Sequence, residues 1–278
     1  MELSKNIINF CSFYSEGPPN DKANNYSDLV PEILKGTKGH FNKTTFYTPK
    51  KLRELGYGKY LREYEDSPII RHKSILKIGL SAFRPAMFLH ELSQMNDGDI
   101  LFHRDFDCKR NPAFLNFDNI ESVILKILKE CQFDFFVPNH DLPGHIHTDT
   151  YRLRILTKTN IIRELGEDHL FTYNFPMLHA YMFVIRKSKA SIELLREWQQ
   201  AMENPEWMDG KQYGPVDSEF TWSTLDQSVL SVIIANWIRK GKYNIPKQYP
   251  FIAFRDKDHN KMIYYKDIYN YDYLKYLE

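Results

Sequence analysis

Apolar residues recur along this chain in two rhythms. Short runs bounded by turn residues predict strands: Ile7-Ile8-Asn9-Phe10-Cys11, "TTFYT" (44–48), Ile100-Leu101-Phe102, "FDFFVP" (133–138) and "AYMFVIRKS" (180–188). Longer segments with apolar positions three and four apart predict helices. These are 26–35, "PKKLRELG" from Pro49 to Gly56, 82–95 with Met87, Phe88, Leu89, Leu92 and Met95, "NIESVILKILKEC" (119–131), "KTNIIREL" closed by Gly166, 191–202, and 224–240 ended by Gly241. Thr224 is the expected cap of the last of these. Three polar stretches interrupt the pattern: "SFYSEGPPND" after the first strand, the His-rich 139–153, and the long loop 203–223. The tail from Asp256 reads as surface loop and a last short helix. Strands separated by helices throughout, with no repeat and no flexible linker, predict a single α/β domain.

Composition narrows this picture. The chain has 278 residues, 42% hydrophobic and 26% charged, enough for a large core. Its 37 Lys and Arg against 36 Asp and Glu leave a net charge of +1, so no nucleic-acid partner is expected. Aromatics reach 15%, with 18 Tyr and 19 Phe, which suits either stacking surfaces or a Phe- and Tyr-rich core and rim. Cys11, Cys108 and Cys131 are too few and too scattered for a zinc site or a disulfide framework, and reduced thiols fit a cytoplasmic protein. The apolar run after Met1-Glu2-Leu3-Ser4-Lys5 is too short for a signal peptide or a span, and no stretch reaches 18 apolar residues. No transmembrane segment is expected, and peripheral contact with a membrane stays open.

Candidate chemistry gathers in "DGDILFHRDFDCKRNP" (97–112). Asp-x-Asp occurs three times. Asp97-Gly98-Asp99 is a turn and Asp256-Lys257-Asp258 an exposed loop. Only Asp105-Phe106-Asp107 follows an apolar strand and is split by an aromatic. Alternation would turn both carboxylates one way, and two like charges side by side call for a cation. Carboxylate oxygens suit a hard divalent ion, Mg²⁺ or Mn²⁺, shared with substrate phosphates.

Three segments in order carry a family resemblance: "GLSAFRPAMFLHELSQMNDGDILFHRDFDC", "MFVIRKSKASIELLREWQQAM" and "STLDQSVLSVII". Together they resemble the nucleotide-sugar-dependent glycosyltransferases of GT-A type, in particular bacterial or viral polysaccharide-type enzymes. The likeness rests on a basic residue opening a helix, a Gly-Asp turn, an apolar strand into Asp-x-Asp, a Trp-bearing helix after an Arg-Lys-Ser turn, and an Asp-Gln pair starting a late helix. It spans most of residues 1–240. It implies a Rossmann-like single domain with a mixed, mostly parallel central sheet flanked by helices. Residues 1–110 would then be mainly the nucleotide-binding half, and 111–278 the acceptor half and tail.

The resemblance also implies roles. Asp107, with Asp105, would hold Mn²⁺ or Mg²⁺ and through it the diphosphate of a nucleotide-sugar donor, with a glycan as acceptor. Related enzymes often replace the second aspartate; this chain keeps both, which favours a metal. Arg84 is a candidate for gripping a phosphate or a sugar hydroxyl, or else sits on a solvated helix face. Ser12, Phe13 and Tyr14 would meet the base or ribose, with Phe13 equally suited to the core. Asp226 is the candidate general base, with Glu219 as a second; Gln227 would assist donor binding. Asp226 also suits a helix first turn for its charge alone. His259 is a candidate third metal ligand in a loop-like setting. His145 and His147 are candidates for the acceptor pocket or for plain surface. Trp207 and Trp222 would stack on a sugar from a lid-like loop, or else anchor that loop on the core. Two other readings stand beside this one. One is a metal-dependent phosphohydrolase with Asp105 as nucleophile, although Lys109 stands where its motif wants Thr or Val. The other is a non-catalytic carbohydrate-binding protein on a transferase fold.

Overall fold

The computed structural model describes residues 7–15, 26–61, 69, 81–105, 117, 119–131, 133–137, 152–243, 250–253 and 261–264. Its centre is a five-stranded mixed sheet in the order β2 (Lys43–Tyr47), β1 (Ile8–Phe13), β3 (Ile100–Arg104), β5 (Met182–Arg186), β4 (Phe135–Phe136). β1 pairs in parallel with β2 and β3, while β5 is antiparallel to both β3 and β4. Four strands therefore point one way and β5 alone runs against them.

Alternation along the strands sorts the core into two layers. Phe10, Phe102, Val184 and Phe136 face one side with Ile8, Ile100 and the apolar stripe of α4 (Ile120–Cys131): Ile120, Val123, Ile124, Ile127 and Leu128. α1 (Val30–Thr37) adds Ile33 to this layer. Cys11, Leu101, Phe135, Phe183 and Ile185 face the other side. There they meet α3 (Arg84–Ser93), α8 (Lys189–Ala201) and α10 (Asp226–Arg239). Trp198 of α8, fully buried, lies against Phe183 and Phe88 with centroids 5.8 and 6.3 Å away. α10 is buried almost all round, as expected of a helix with apolar residues on every side.

Local signals placed several boundaries. Pro49 opens α2 (Pro49–Glu54), where the Thr48 side chain accepts from the Lys51 amide. Ser188 and Ser191 form a reciprocal capping box on α8. Gly98 takes φ +90° in the turn before β3. Other expectations need correction. β1 runs on to Phe13, and the strand expected over 133–138 narrows to Phe135–Phe136. The 180–188 segment holds its strand only from Met182 to Arg186. Thr224 does not cap α10; Leu225 precedes that helix, and the Thr224 hydroxyl turns to Ser228 and Met177. The tail contains a strand: β7 (Lys261–Tyr264) pairs antiparallel with β6 (Pro250–Ala253). Between β4 and β5 the expected "KTNIIREL" helix forms as α6 (Thr159–Glu164), two unexpected short helices flank it, α5 (Leu153–Leu156) and α7 (Leu170–Asn174), and the long loop holds α9 (Pro205–Met208). Among the described residues no helix is long and apolar enough to cross a membrane.

Candidate functional site

The parallel strands β1, β2 and β3 end along one edge of the sheet, at Phe13, Tyr47 and Arg104, and Asp105 follows β3 immediately. The chain leaves helix α3 to enter β3, so the start of α3 returns to this edge. Phe13 pins it there, its ring 4.1 Å from that of Phe83. Arg84 is the next residue. Its Nη2 donates to both oxygens of Asp105, at 2.9 and 3.0 Å, and its Nη1 donates to Asp226 at 2.5 Å. One planar guanidinium thus joins the end of β3 to the start of α10, 142 residues away from it in the chain.

The three groups differ in exposure, and that sets their electrostatics. The Arg84 and Asp226 side chains are 9% and 8% exposed, and that of Asp105 is 32% exposed. Burial pushes the Asp226 pKa up to about 6; Arg84 opposes this and the neighbouring charge of Asp105 adds to it. Burial acts on Asp105 in the same direction, but Arg84 and His103 outweigh it and hold that carboxyl below its ordinary value. The two acids are therefore driven apart in acidity. Asp105 is held ionised beside the cation, and Asp226 is poised to exchange a proton near neutral pH.

The other predicted residues fall in different places. Ser12 is fully buried and its hydroxyl donates to the Arg104 carbonyl at 2.5 Å, tying β1 to β3 rather than facing a ligand. Phe13 serves the packing just described. Tyr14 is half-buried against Phe46, edge to face at 6.2 Å, at the open end of β1. Gln227 stands beside Asp226 in the first turn of α10, and its Oε1 is buried with no hydrogen-bond partner among the described residues. Glu219 is half exposed and pairs with Arg154, Oε1 to Nε 3.2 Å, rather than joining the Arg84 group. The loop carrying it is fastened down: Lys158 reaches the carbonyl of Glu206 and both the carbonyl and carboxylate of Asp209, and Arg154 also meets Asp217. Trp207 donates to Glu164, an anchoring contact, and Trp222 packs against the main core. Asp107, His145, His147 and His259 lie outside the described residues.

Two contributors escaped the sequence reading. His103 is 1% exposed and sets Nε2 3.2 Å from Asp105 Oδ1 and Nδ1 3.0 Å from the Cys11 carbonyl. The alternation Leu101-His103-Asp105 is the signal that places it on the same side of β3 as the aspartate. Leu225, directly before Asp226, adopts φ +45° and ψ −85°, a conformation L residues rarely take. Nothing in a leucine's chemistry announces that.

Asp105 offers carboxylate oxygens at partial exposure, the donor type that a hard divalent ion prefers, so the described half of the Asp-x-Asp pair fits such an ion. Among the described residues no group of three or more His, Cys, Asp and Glu is placed to hold a metal ion. No family model matches this chain, no curated protein matches it, and no solved structure matches it.

Proposed function

We propose that the chain is a metal-assisted glycosyltransferase of GT-A type, moving a monosaccharide from a nucleoside-diphosphate sugar to a glycan acceptor. The observation that carries this reading is the Arg84 fork between Asp105 and Asp226 at the carboxyl edge of a parallel strand trio. In open α/β sheets that edge is where ligands bind. The order of the pieces along the chain is also the order of the three segments that resemble the family.

In this reading Asp105 and Asp107 would hold Mn²⁺ or Mg²⁺, whose charge would offset that of a nucleoside diphosphate leaving group. Arg84 positions both acids and brings a fixed positive charge to the donor's anionic end. Tyr14 lies where a base or ribose would rest, at the end of β1. Asp226 accepts the proton of the attacking acceptor hydroxyl, a task suited to an acid with its pKa raised to about 6. Gln227 offers its unspent carbonyl oxygen to donor or acceptor. With both oxygens of Asp105 already engaged by Arg84, that residue suits holding a ligand better than attacking one, which disfavours the phosphohydrolase reading.

Thermal melting tests the proposal. UDP or GDP with Mn²⁺ is expected to raise the midpoint by about 5 °C at ligand concentrations near a hundred times Kd. Chelator, or Asp107→Ala, is expected to remove that gain. Stabilisation indifferent to both would count against it, and turnover of a panel of sugar nucleotides separates transferase from binding protein.

A further inference from the structure

We infer that His103 is a positioning residue that fixes the orientation of the Asp105 carboxylate by donating from Nε2 to Oδ1. This rests on the reading of Asp105 as part of the donor site.

The imidazole sits in an unusual place for a polar ring. It is 1% exposed, on the same sheet face as Leu101, with Phe88 edge-on at 5.1 Å and Phe183 at 5.7 Å. A polar group buried among aromatics is costly unless its nitrogens are engaged. Both are. Nε2 faces Asp105 Oδ1 at 3.2 Å, and Nδ1 lies 3.0 Å from the Cys11 carbonyl and 4.0 Å from the Cys11 sulfur. An ionised carboxylate only accepts hydrogen bonds, so the contact at Oδ1 needs the ring hydrogen on Nε2. A neutral ring in that tautomer turns a bare Nδ1 toward the Cys11 carbonyl oxygen, a lone-pair opposition that the Cys11 thiol, which keeps its hydrogen and lies 4.0 Å away, offsets only weakly; opposing a neutral carbonyl costs less than opposing an ionised carboxylate. The opposite tautomer would satisfy the carbonyl and set a lone pair against the carboxylate.

The consequence is a division of labour at Asp105. Arg84 touches both oxygens from the α3 side, while His103 touches Oδ1 alone from within the sheet. Arg84 by itself would let the carboxylate swing about its fork; the second contact decides which oxygen turns inward and which stays toward the donor. The same ring links Asp105 to Cys11, the residue before the Ser12–Tyr14 stretch. The two predicted nucleotide-contacting segments are thereby held in one frame. Outer groups that orient a ligating carboxylate commonly change affinity by tenfold or more when lost.

Three substitutions separate this role from mere packing. Glutamine carries its amide nitrogen about where Nε2 sits and asparagine about where Nδ1 sits, while phenylalanine fills the space between Phe88 and Phe183 with no polar contact. Calorimetric titration of the full chain with UDP in the presence of Mn²⁺ is expected to show His103→Phe and His103→Asn about tenfold weaker than wild type. His103→Gln is expected within about threefold of wild type. Equal losses in the Gln and Asn variants, or none in the Phe variant, would overturn the inference. Long-range ¹⁵N–¹H spectra of the imidazole need no ligand. They are expected to place the hydrogen on Nε2 in wild type, with a resonance that moves in Asp105→Ala; a hydrogen on Nδ1, indifferent to that change, also overturns it. A wild-type protein that binds no nucleotide with Mn²⁺ would sink the transferase reading, while the spectra still judge the contact itself.

Discussion

Arg84 stands between two acids that would otherwise face each other with little water to separate them. Removing it strands two carboxylates, one of them 92% covered, and breaking such a pair costs about 3–5 kcal/mol. Because Asp105 is a third exposed, the lower end applies, and Arg84→Met is expected to lose about 3 kcal/mol in urea unfolding. Arg84→Lys keeps the charge, cannot fork, and should fall between. The acids also set a pH signature. The native pKa of Asp226 lies near 6 and its ordinary value is 3.8, so between those values the folded chain holds a proton the unfolded chain has released. The contribution of Asp226 is complete below about pH 4 and declines as pH rises through 6, by about 3 kcal/mol in all. Asp226→Asn should therefore gain on wild type in urea midpoint as pH climbs from 4 to 7, and a flat difference would refute the assignment. Asp105 and Asp226 were legible in the sequence because each starts or ends an apolar element. Arg84 was legible only by resemblance, since nothing in "AFRPAM" distinguishes a buried clamp from a solvated arginine. His103 hid inside a strand that was read for its apolar members.

At the scale of elements, the loop 203–223 was expected to behave as a lid or as an anchored strap, and its contacts favour the strap. Lys158, its side chain fully buried, holds the Glu206 and Asp209 carbonyls and the Asp209 carboxylate, and Tyr213 bonds to the other oxygen of that carboxylate. Arg163 holds the Pro215 carbonyl, and the Thr159 hydroxyl accepts from the Asp217 amide. Lys158→Met keeps the apolar stem and strands those oxygens. It is expected to cost about 2 kcal/mol and to open residues 209–215 to limited proteolysis, with cutting there before global unfolding. The strongly periodic helices were legible to within a few residues, as for α4, where every third or fourth residue is apolar. The short ones were not. α5 and α7 have four and five residues, fewer than two helical turns, and form because they pack on each other and under α10, with α6 also against α5. The tail hairpin escaped because the charged residues between its strands masked two four-residue runs. Thr224 had the chemistry of a cap, yet its hydroxyl found buried partners in Ser228 and Met177 instead.

For the molecule as a whole, alternation of strand and helix foretold an α/β fold, because periodicity is a local property that the sequence carries openly. The strand order β2-β1-β3-β5-β4 is not local; it depends on registers such as Phe102 opposite Val184, 82 positions later, which no short window contains. The reversal of β5 has a further effect. Where β1 and β3 deliver their last residues to the edge beside Asp105, β5 delivers its first, and the amide of Asp105 is already bonded to the Tyr181 carbonyl at 2.7 Å. The surroundings of Asp105 are thus framed by an incoming stretch of chain as well as by outgoing ones. His179, on that incoming stretch, contributes to the field that keeps Asp105 ionised. Variation in the residues that lead into β5 can retune the acid without disturbing the strand that bears it.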